Sequence, residues 1–77
     1  MRRSDQPQAA LGEAIRQLRS KHSLTQEDLA HKAGITTGTL SLIERGQANP
    51  TWATVRGIAA ALGVSMGELG RVADSAQ

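Results

Sequence analysis

Residues 24–46 read LTQEDLAHKAGITTGTLSLIERG, and this stretch decides the fold of the 77-residue chain. It opens with Thr25, a residue type that often precedes the first turn of a helix because its hydroxyl can accept a backbone N–H. The acidic residues Glu27 and Asp28 follow, and they favour the positive end of a helix dipole. Gly34 supplies a left-handed residue of the kind that ends many helices. The first half of the stretch therefore predicts one short helix.

The second half of the stretch predicts another short helix. The pair Thr36-Thr37 offers its N-cap, and the helix ends at Gly46. Leu40 and Ile43 lie three residues apart on one side, which favours burial of that side. Two helices joined by a short turn with a glycine at its corner have the geometry of a helix-turn-helix. We therefore expect the other side of the second helix to face solvent.

The flanking sequence predicts three more helices. Apolar residues at helical spacing begin at Leu11 and indicate a helix of about three turns. A fourth helix follows the turn at residues 49–51, and a fifth is capped by Ser65. No segment alternates with the period of a strand. The sequence therefore predicts an all-α, compact five-helix domain over residues 9–73, with a flexible tail at 1–8 and another at 74–77.

Length and composition exclude several classes of function. A chain of 77 residues can bury one modest core, so we expect no separate sensing domain and no small-molecule ligand. There is no cysteine, no apolar run of membrane length and no signal-peptide region, which favours a cytoplasmic protein without membrane contact. The net charge is +2 with nine basic residues. That charge is compatible with an anionic partner but does not identify nucleic acid.

The expected solvent face of the second motif helix is small, polar and nearly uncharged. Such a face suits a helix whose first residues meet base edges in a DNA major groove. Thr37 and Ser41 can donate or accept hydrogen bonds, and the Thr37 methyl and Leu42 can pack on a thymine methyl group. Gly38 can let the backbone approach closely. The alternative is an ordinary solvated helix surface.

Several motifs together carry a family resemblance. They are Leu11-Gly12-Glu13, the run LTQEDLA at 24–30, Ala33-Gly34-Ile35, and Ile43-Glu44-Arg45-Gly46 followed by Asn49-Pro50-Thr51. With these motifs, residues 11–69 resemble the lambda-repressor-like, Xre/Cro family of bacterial and phage regulators. The resemblance implies a recognition helix from about Thr36 to Arg45. It also implies a homodimer on a pseudo-palindromic operator in double-stranded DNA.

The resemblance further implies roles for individual side chains. Thr37, Gly38 and Leu42 match positions that read bases. Arg19 and Glu44 match a structural ion pair beneath the recognition helix. The positions that approach phosphates are Gln26, Thr36, Thr39, Arg45, Gln47 and Asn49. Phosphate contacts set register and affinity, whereas base contacts set sequence choice.

Other residues carry weaker expectations. Met66, Leu69 and Val72 form the expected dimer surface, the alternative is that they close the core of the monomer, and a role in both is favoured. Trp52 is expected in the core, or partly in it, rather than stacked on a base. The Arg2-Arg3 start is expected to be a tail rather than an arm that follows DNA. His22 and His31 have no third ligand, so we expect no metal and no cofactor.

Two further classes of function stay open beside a DNA-binding repressor. One is a protein-interaction module, such as an antitoxin or adaptor that holds an unidentified protein partner. The other is an enzyme. No second carboxylate, metal cluster or nucleophile with its base accompanies Glu44, so we expect no catalysis.

Overall fold

The computed structural model describes residues 7–75. Within that range the chain forms five α-helices and no strand, which confirms the predicted all-α, five-helix architecture. The helices are α1 (Pro7–Lys21), α2 (Gln26–Ala33), α3 (Thr37–Glu44), α4 (Trp52–Leu62) and α5 (Met66–Ser75). None of these five helices has both the length and the apolar composition that a membrane crossing requires.

Two helices extend into the segments expected to be tails. α1 begins at Pro7, because proline is well suited to the first helical position, where its missing N–H costs no hydrogen bond. α5 continues to Ser75. The rest of both expected tails, residues 1–6 with Arg2-Arg3 and residues 76–77, lies outside the described residues. α3 ends at Glu44, two residues before the expected end at Gly46.

Threonine and glycine mark the ends of the central helices. Thr25, Thr36 and Thr51 each have extended backbone, and each hydroxyl oxygen accepts a hydrogen bond from the backbone N–H three residues later. Each such cap contributes about 1 kcal/mol. Gly34 and Gly63 end α2 and α4, each with φ of 75°. The starts of α2, α3 and α4 and the ends of α2 and α4 therefore lie where local sequence chemistry puts them.

One hydrophobic core holds the helices together. α1 packs against α3, α4 and α5, and α2 packs against α3 and α4. The largest fully buried side chains come from all five helices: Ile15, Leu29, Leu40, Ile43, Ile58 and Leu69. Leu40 and Ile43 were expected to be buried, and together with Leu29 they fix the packing of α2 and α3. Removing one of these side chains would cost about 2–5 kcal/mol.

Two glycines bring the first turns of α1 close to the end of α3. A Cβ added at Gly12 would lie 2.3 Å from the carbonyl oxygen of Ile43 and 2.7 Å from that of Glu44. Gly46 has φ of 72°, and a Cβ there would lie 2.9 Å from the Cα of Ala9. The two elements therefore meet backbone to backbone, with no room for a methyl group between them.

Trp52 lies on the surface, so the expectation that it belongs to the core is wrong. It is 67% exposed and occupies the first position of α4. Helical side chains lean towards the N-terminus of their helix. The side chain of a first residue therefore has no preceding turn of its own helix to lie against. Apolar spacing along α4 does not reveal this end effect.

The exposure of Trp52 leads to a small expected effect on stability. Trp52→Ala should change the free energy of unfolding by less than about 1 kcal/mol, because little buried area is lost. Urea unfolding followed by circular dichroism measures this, and Leu69→Ala is the matched core control with an expected loss of about 2–5 kcal/mol. In the native wild-type chain, acrylamide should quench the single tryptophan readily. A shielded indole together with a large loss of stability would contradict the surface position.

Candidate nucleic-acid interface

α3 has one buried side and one exposed side. Leu40 and Ile43 are buried. The four residues expected to read bases lie away from the core: Thr37, Gly38 and Leu42 are exposed and Ser41 is half-buried. Leu42 is 40% exposed, which makes it one of the large apolar side chains on the described surface. The chain therefore presents a short face of α3 with two hydroxyl groups, an exposed backbone segment at a glycine and one apolar contact.

This face carries no formal charge. α3 contains no basic residue, and its acidic residue, Glu44, is buried. At its start, the Thr36 hydroxyl oxygen accepts the Thr39 backbone N–H at 3.0 Å, and the Thr36 hydroxyl donates to the Thr39 hydroxyl oxygen at 2.8 Å. The Thr39 hydroxyl proton is then left to donate outwards. That arrangement can serve an anionic oxygen beside the helix start.

The residues expected to contact phosphates flank α3 at both ends. Thr36 and Thr39 lie at its start, and all members of the group that follow it are exposed: Arg45, Gln47 and Asn49. The Nε atom of Arg45 donates to the Ser41 carbonyl oxygen at 3.3 Å. This hydrogen bond holds the guanidinium beside the last turn of α3. Its other N–H groups remain available to an anion.

Arg19 and Glu44, expected to pair beneath the recognition helix, are joined by two hydrogen bonds. Arg19 Nε donates to Glu44 Oε2 at 2.7 Å, and Arg19 Nη2 donates to Glu44 Oε1 at 3.0 Å. A third donor, Nη1, reaches the Leu24 carbonyl oxygen at 2.9 Å. The side chain of Glu44 is 3% exposed and that of Arg19 is 16% exposed. The pair therefore ties α1 to α3 and to the residue before the α2 cap.

Gln26 joins the same group of side chains. Its Nε2 atom donates to Glu44 Oε1 at 3.1 Å, and the residue is half-buried as the first residue of α2. Among the described residues, every buried polar side-chain atom has a hydrogen-bond partner. Sequence reasoning placed Gln26 at a phosphate but did not foresee its contact with Glu44. Nothing in the local sequence pattern signals a contact between residues eighteen positions apart.

The start of α2 is closed by a reciprocal cap. The Thr25 hydroxyl oxygen accepts the Asp28 backbone N–H at 3.0 Å, and Asp28 Oδ2 accepts the Thr25 backbone N–H at 3.1 Å. The hydrogen bond from the Thr25 backbone lowers the pKa of the Asp28 carboxyl below its usual value. The cap satisfies the N–H of Asp28 and leaves the N–H groups of Gln26 and Glu27 in the first turn without an intrahelical acceptor. Such groups can bind an anion.

Leu69 is 1% exposed, so its side chain belongs to the core of the monomer and cannot form part of a surface. Met66 and Val72 are half-buried and pack against that core, so part of each remains accessible. His22 and His31 are both exposed. Over residues 7–75, no three histidine, aspartate or glutamate side chains are arranged to hold a metal ion.

Comparison with known sequences places this arrangement in a family. A family model described as Helix-turn-helix matches residues 15–69. The uncharacterized HTH-type transcriptional regulator y4dJ of Sinorhizobium fredii is 42% identical over 59 residues, which make up 77% of this chain and 77% of that protein. The immunity repressor protein of Bacillus phage phi105 is 38% identical over 56 residues, 73% of this chain. The chain spans 39% of the length of that repressor.

Solved structures share the fold. The clp gene regulator ClgR from Corynebacterium glutamicum is 28% identical with a TM-score of 0.88 over 92% of each chain. The restriction-modification controller protein C.AhdI from Aeromonas hydrophila is 32% identical with a TM-score of 0.79, over 80% of this chain and 94% of the other. The controller C.Esp1396I, crystallised as a tetramer with its natural 35 base-pair operator, is 27% identical with a TM-score of 0.84 over 91% and 92% of the two chains. The chain therefore belongs to the helix-turn-helix family of DNA-binding transcriptional regulators, of the lambda-repressor-like, Xre/Cro type that its sequence resembles.

Proposed function

We propose that the chain is a repressor that binds a pseudo-palindromic operator as a homodimer, with α3 as the recognition helix in the major groove. The observation that carries the proposal is the two-sided burial of α3: Leu40 and Ile43 hold it to the core, while Thr37, Gly38 and Leu42 stay exposed. The related C.Esp1396I forms a tetramer with its operator, and another relative is named an immunity repressor. The first relative supports operator binding and assembly, and the second supports repression.

Sequence choice would come from the first turns of α3. Thr37 begins the helix, and Ser41 and Leu42 lie about one turn further on. None of these side chains offers the two-pronged hydrogen bonding by which arginine reads guanine or glutamine reads adenine. We therefore expect each base-pair mismatch to cost near the lower end of the usual range, about 1 kcal/mol. Part of the specificity would then come from DNA shape and bridging water.

Affinity and register would come from groups around α3. The proposed phosphate contacts are Gln26, Thr36, Thr39, Arg45, Gln47 and Asn49. A second copy would dock through the accessible parts of Met66 and Val72 on α5, so that two recognition helices lie about 34 Å apart, one turn of DNA. Such a regulator would act in the cytoplasm, without cofactor or catalytic activity.

Selection of bound sites from random duplex DNA tests the proposal directly. A symmetric site with half-sites about 10 base pairs apart is the expected result. The association constant should also fall linearly with salt on logarithmic axes, because phosphate contacts release counterions. Failure to enrich any sequence would contradict the proposal. A tight complex with another protein and no salt-dependent DNA binding would favour the interaction module instead.

Substitutions at Gln26 and Thr37 separate affinity from sequence choice. Gln26→Ala should weaken binding to specific and random DNA by a similar factor, roughly tenfold for one lost charge-assisted hydrogen bond. Thr37→Ala should change the preferred bases, because it removes a hydroxyl and a methyl group from the reading face. Titration of each variant against a selected duplex and a random duplex measures affinity, and repeating the site selection with each variant measures base preference.

Matched controls lie on α1, among residues that are not proposed to contact DNA. Gln17 and Ser20 are exposed there, and Gln17→Ala and Ser20→Ala should leave both affinity and preference unchanged. If Gln26→Ala and Thr37→Ala alter specific and random binding in the same way as each other, the division of roles is wrong.

A further inference from the structure

We infer that Glu44 is a positioning residue for DNA binding: its buried carboxylate fixes the side-chain amide of Gln26 as a hydrogen-bond donor towards a phosphate at the start of α2. The inference rests on the proposed function, which supplies the contact between Gln26 and phosphate. It adds Glu44 as the residue that orients the Gln26 amide in the DNA-free protein.

The chemistry of the two groups fixes the orientation of the amide. A glutamine amide has a donor end and an acceptor end of nearly equal shape, so it can rotate to present either one. An ionised carboxylate only accepts. The atom that faces Glu44 Oε1 at 3.1 Å must therefore be Nε2 of Gln26. The reverse orientation would place two acceptor oxygens against each other beside a side chain that is 3% exposed, at the cost of an unsatisfied polar contact.

One hydrogen of the amide nitrogen is then left for a ligand. The NH₂ group carries two donors, and Glu44 uses one of them. Gln26 is half-buried rather than enclosed, so its side chain reaches the surface. The backbone N–H of the same residue lies in the first turn of α2 and has no intrahelical acceptor. The second Nε2 hydrogen and the backbone N–H of Gln26 can therefore donate to the same phosphate. A rotated amide would instead present its carbonyl oxygen, which repels the phosphate oxygens.

Arg19 holds Glu44 in place for this role. It occupies Oε2 through Nε at 2.7 Å and Oε1 through Nη2 at 3.0 Å. Its Nη1 is in turn anchored on the Leu24 carbonyl oxygen at 2.9 Å. The carboxylate cannot rotate without breaking both of its bonds to Arg19. The amide of Gln26 is thus ordered in the free protein, and the binding step does not have to order it again.

A double-mutant cycle on the selected operator tests the coupling. The variants are Gln26→Ala, Glu44→Gln and the two combined, measured by fluorescence anisotropy of a labelled duplex at a temperature where circular dichroism shows all of them folded. Ordering one side chain in advance is worth roughly two- to tenfold in affinity. Gln26→Ala should therefore weaken wild-type binding roughly tenfold but weaken binding in the Glu44→Gln background by a smaller factor, about one- to fivefold. Equal factors in the two backgrounds would overturn the inference.

A nearby charge provides the matched control. Glu27 follows Gln26 on α2 and is exposed, so Glu27→Gln removes the same charge without touching the Gln26 amide. The effect of Gln26→Ala in that background should equal its effect in the wild-type chain. A reduced effect there would mean that charge alone, and not the orientation of the amide, explains the cycle.

The amide can also be observed in the free wild-type protein, which keeps the inference testable if Glu44→Gln fails to fold. In ¹⁵N spectra, one Nε2 proton of Gln26 should be shifted downfield and exchange slowly, unlike both side-chain amide protons of the exposed Gln8 on α1. Averaged, fast-exchanging amide protons at Gln26 would overturn the inference. A wild-type chain that binds no duplex would overturn the proposed function and this inference together, whereas binding with equal factors in the cycle would overturn this inference alone.

Discussion

Gly12→Ala is expected to lower the free energy of unfolding by about 3 kcal/mol, at the upper end of the usual cost of overpacking. The added Cβ would lie 2.3 Å from the Ile43 carbonyl oxygen and 2.9 Å from the Glu44 carbonyl carbon. These are backbone atoms of α3, so no side-chain rotation can make room. Relief requires α1 and the end of α3 to separate, and that movement would also stretch the hydrogen bonds between Arg19 and Glu44.

The same substitution at Gly70 is the matched control. Gly70 lies within α5, and a Cβ there would have no neighbour within 4 Å. Alanine is favoured over glycine inside a helix by roughly 0.5–1 kcal/mol, so Gly70→Ala should stabilise the chain. Urea unfolding followed by circular dichroism gives both values. The two substitutions add the same methyl group but should change the free energy of unfolding in opposite directions. A Gly12→Ala protein as stable as the wild type would contradict the close approach of α1 to α3.

Arg19→Met is expected to cost about 3–5 kcal/mol, because it leaves a buried carboxylate without its charge partner. Glu44 would retain only the hydrogen bond from Gln26. The Leu24 carbonyl oxygen would lose its donor as well. The loss reflects the cost of an uncompensated charge, so it should exceed what the pair itself contributes to folding.

A second substitution tests that explanation. In the double variant Arg19→Met/Glu44→Leu the buried charge is gone, and much of the lost stability should return. Arg16→Met is the surface control, because Arg16 also pairs with a glutamate, Glu13, at 2.6 Å but is half exposed to solvent. It should change stability far less than Arg19→Met. A double variant as unstable as Arg19→Met alone would show that the loss comes from packing rather than from the unpaired charge.

The helix-turn-helix could be predicted from local sequence because its ends depend on neighbouring residues. Thr25 and Thr36 cap helices through backbone groups three positions away, and Gly34 ends a helix through its own φ angle. Local sequence did not predict burial correctly where it depends on a residue's position along its helix or on which chain packs against it. Trp52 fits an apolar spacing but has no preceding turn of its own helix to lie against. The apolar spacing of α5 does not tell whether Leu69 packs on its own chain or on a second copy.

The exposed side of α3 could be predicted from the sequence, whereas the contacts between α1 and α3 could not. The burial of Leu40 and Ile43 follows from their spacing, and it leaves the opposite side of α3 exposed. The approach of Gly12 to the carbonyl groups of α3 depends instead on how α1 and α3 are positioned relative to each other. The spacing of residues within one helix carries no information on that position. The pairing of Arg19 with Glu44 was expected only from a family resemblance.

The division of α3 into an anchored side and an exposed side has a consequence for how such proteins diverge. The residues that anchor α3 in the core are not the residues that would touch bases. Substitutions at positions 37, 38, 41 and 42 therefore leave the buried contacts of Leu40 and Ile43 unchanged. New target sequences can then arise by changes that selection on folding does not oppose. One scaffold can in this way supply many regulators that ignore each other's sites within a single cell.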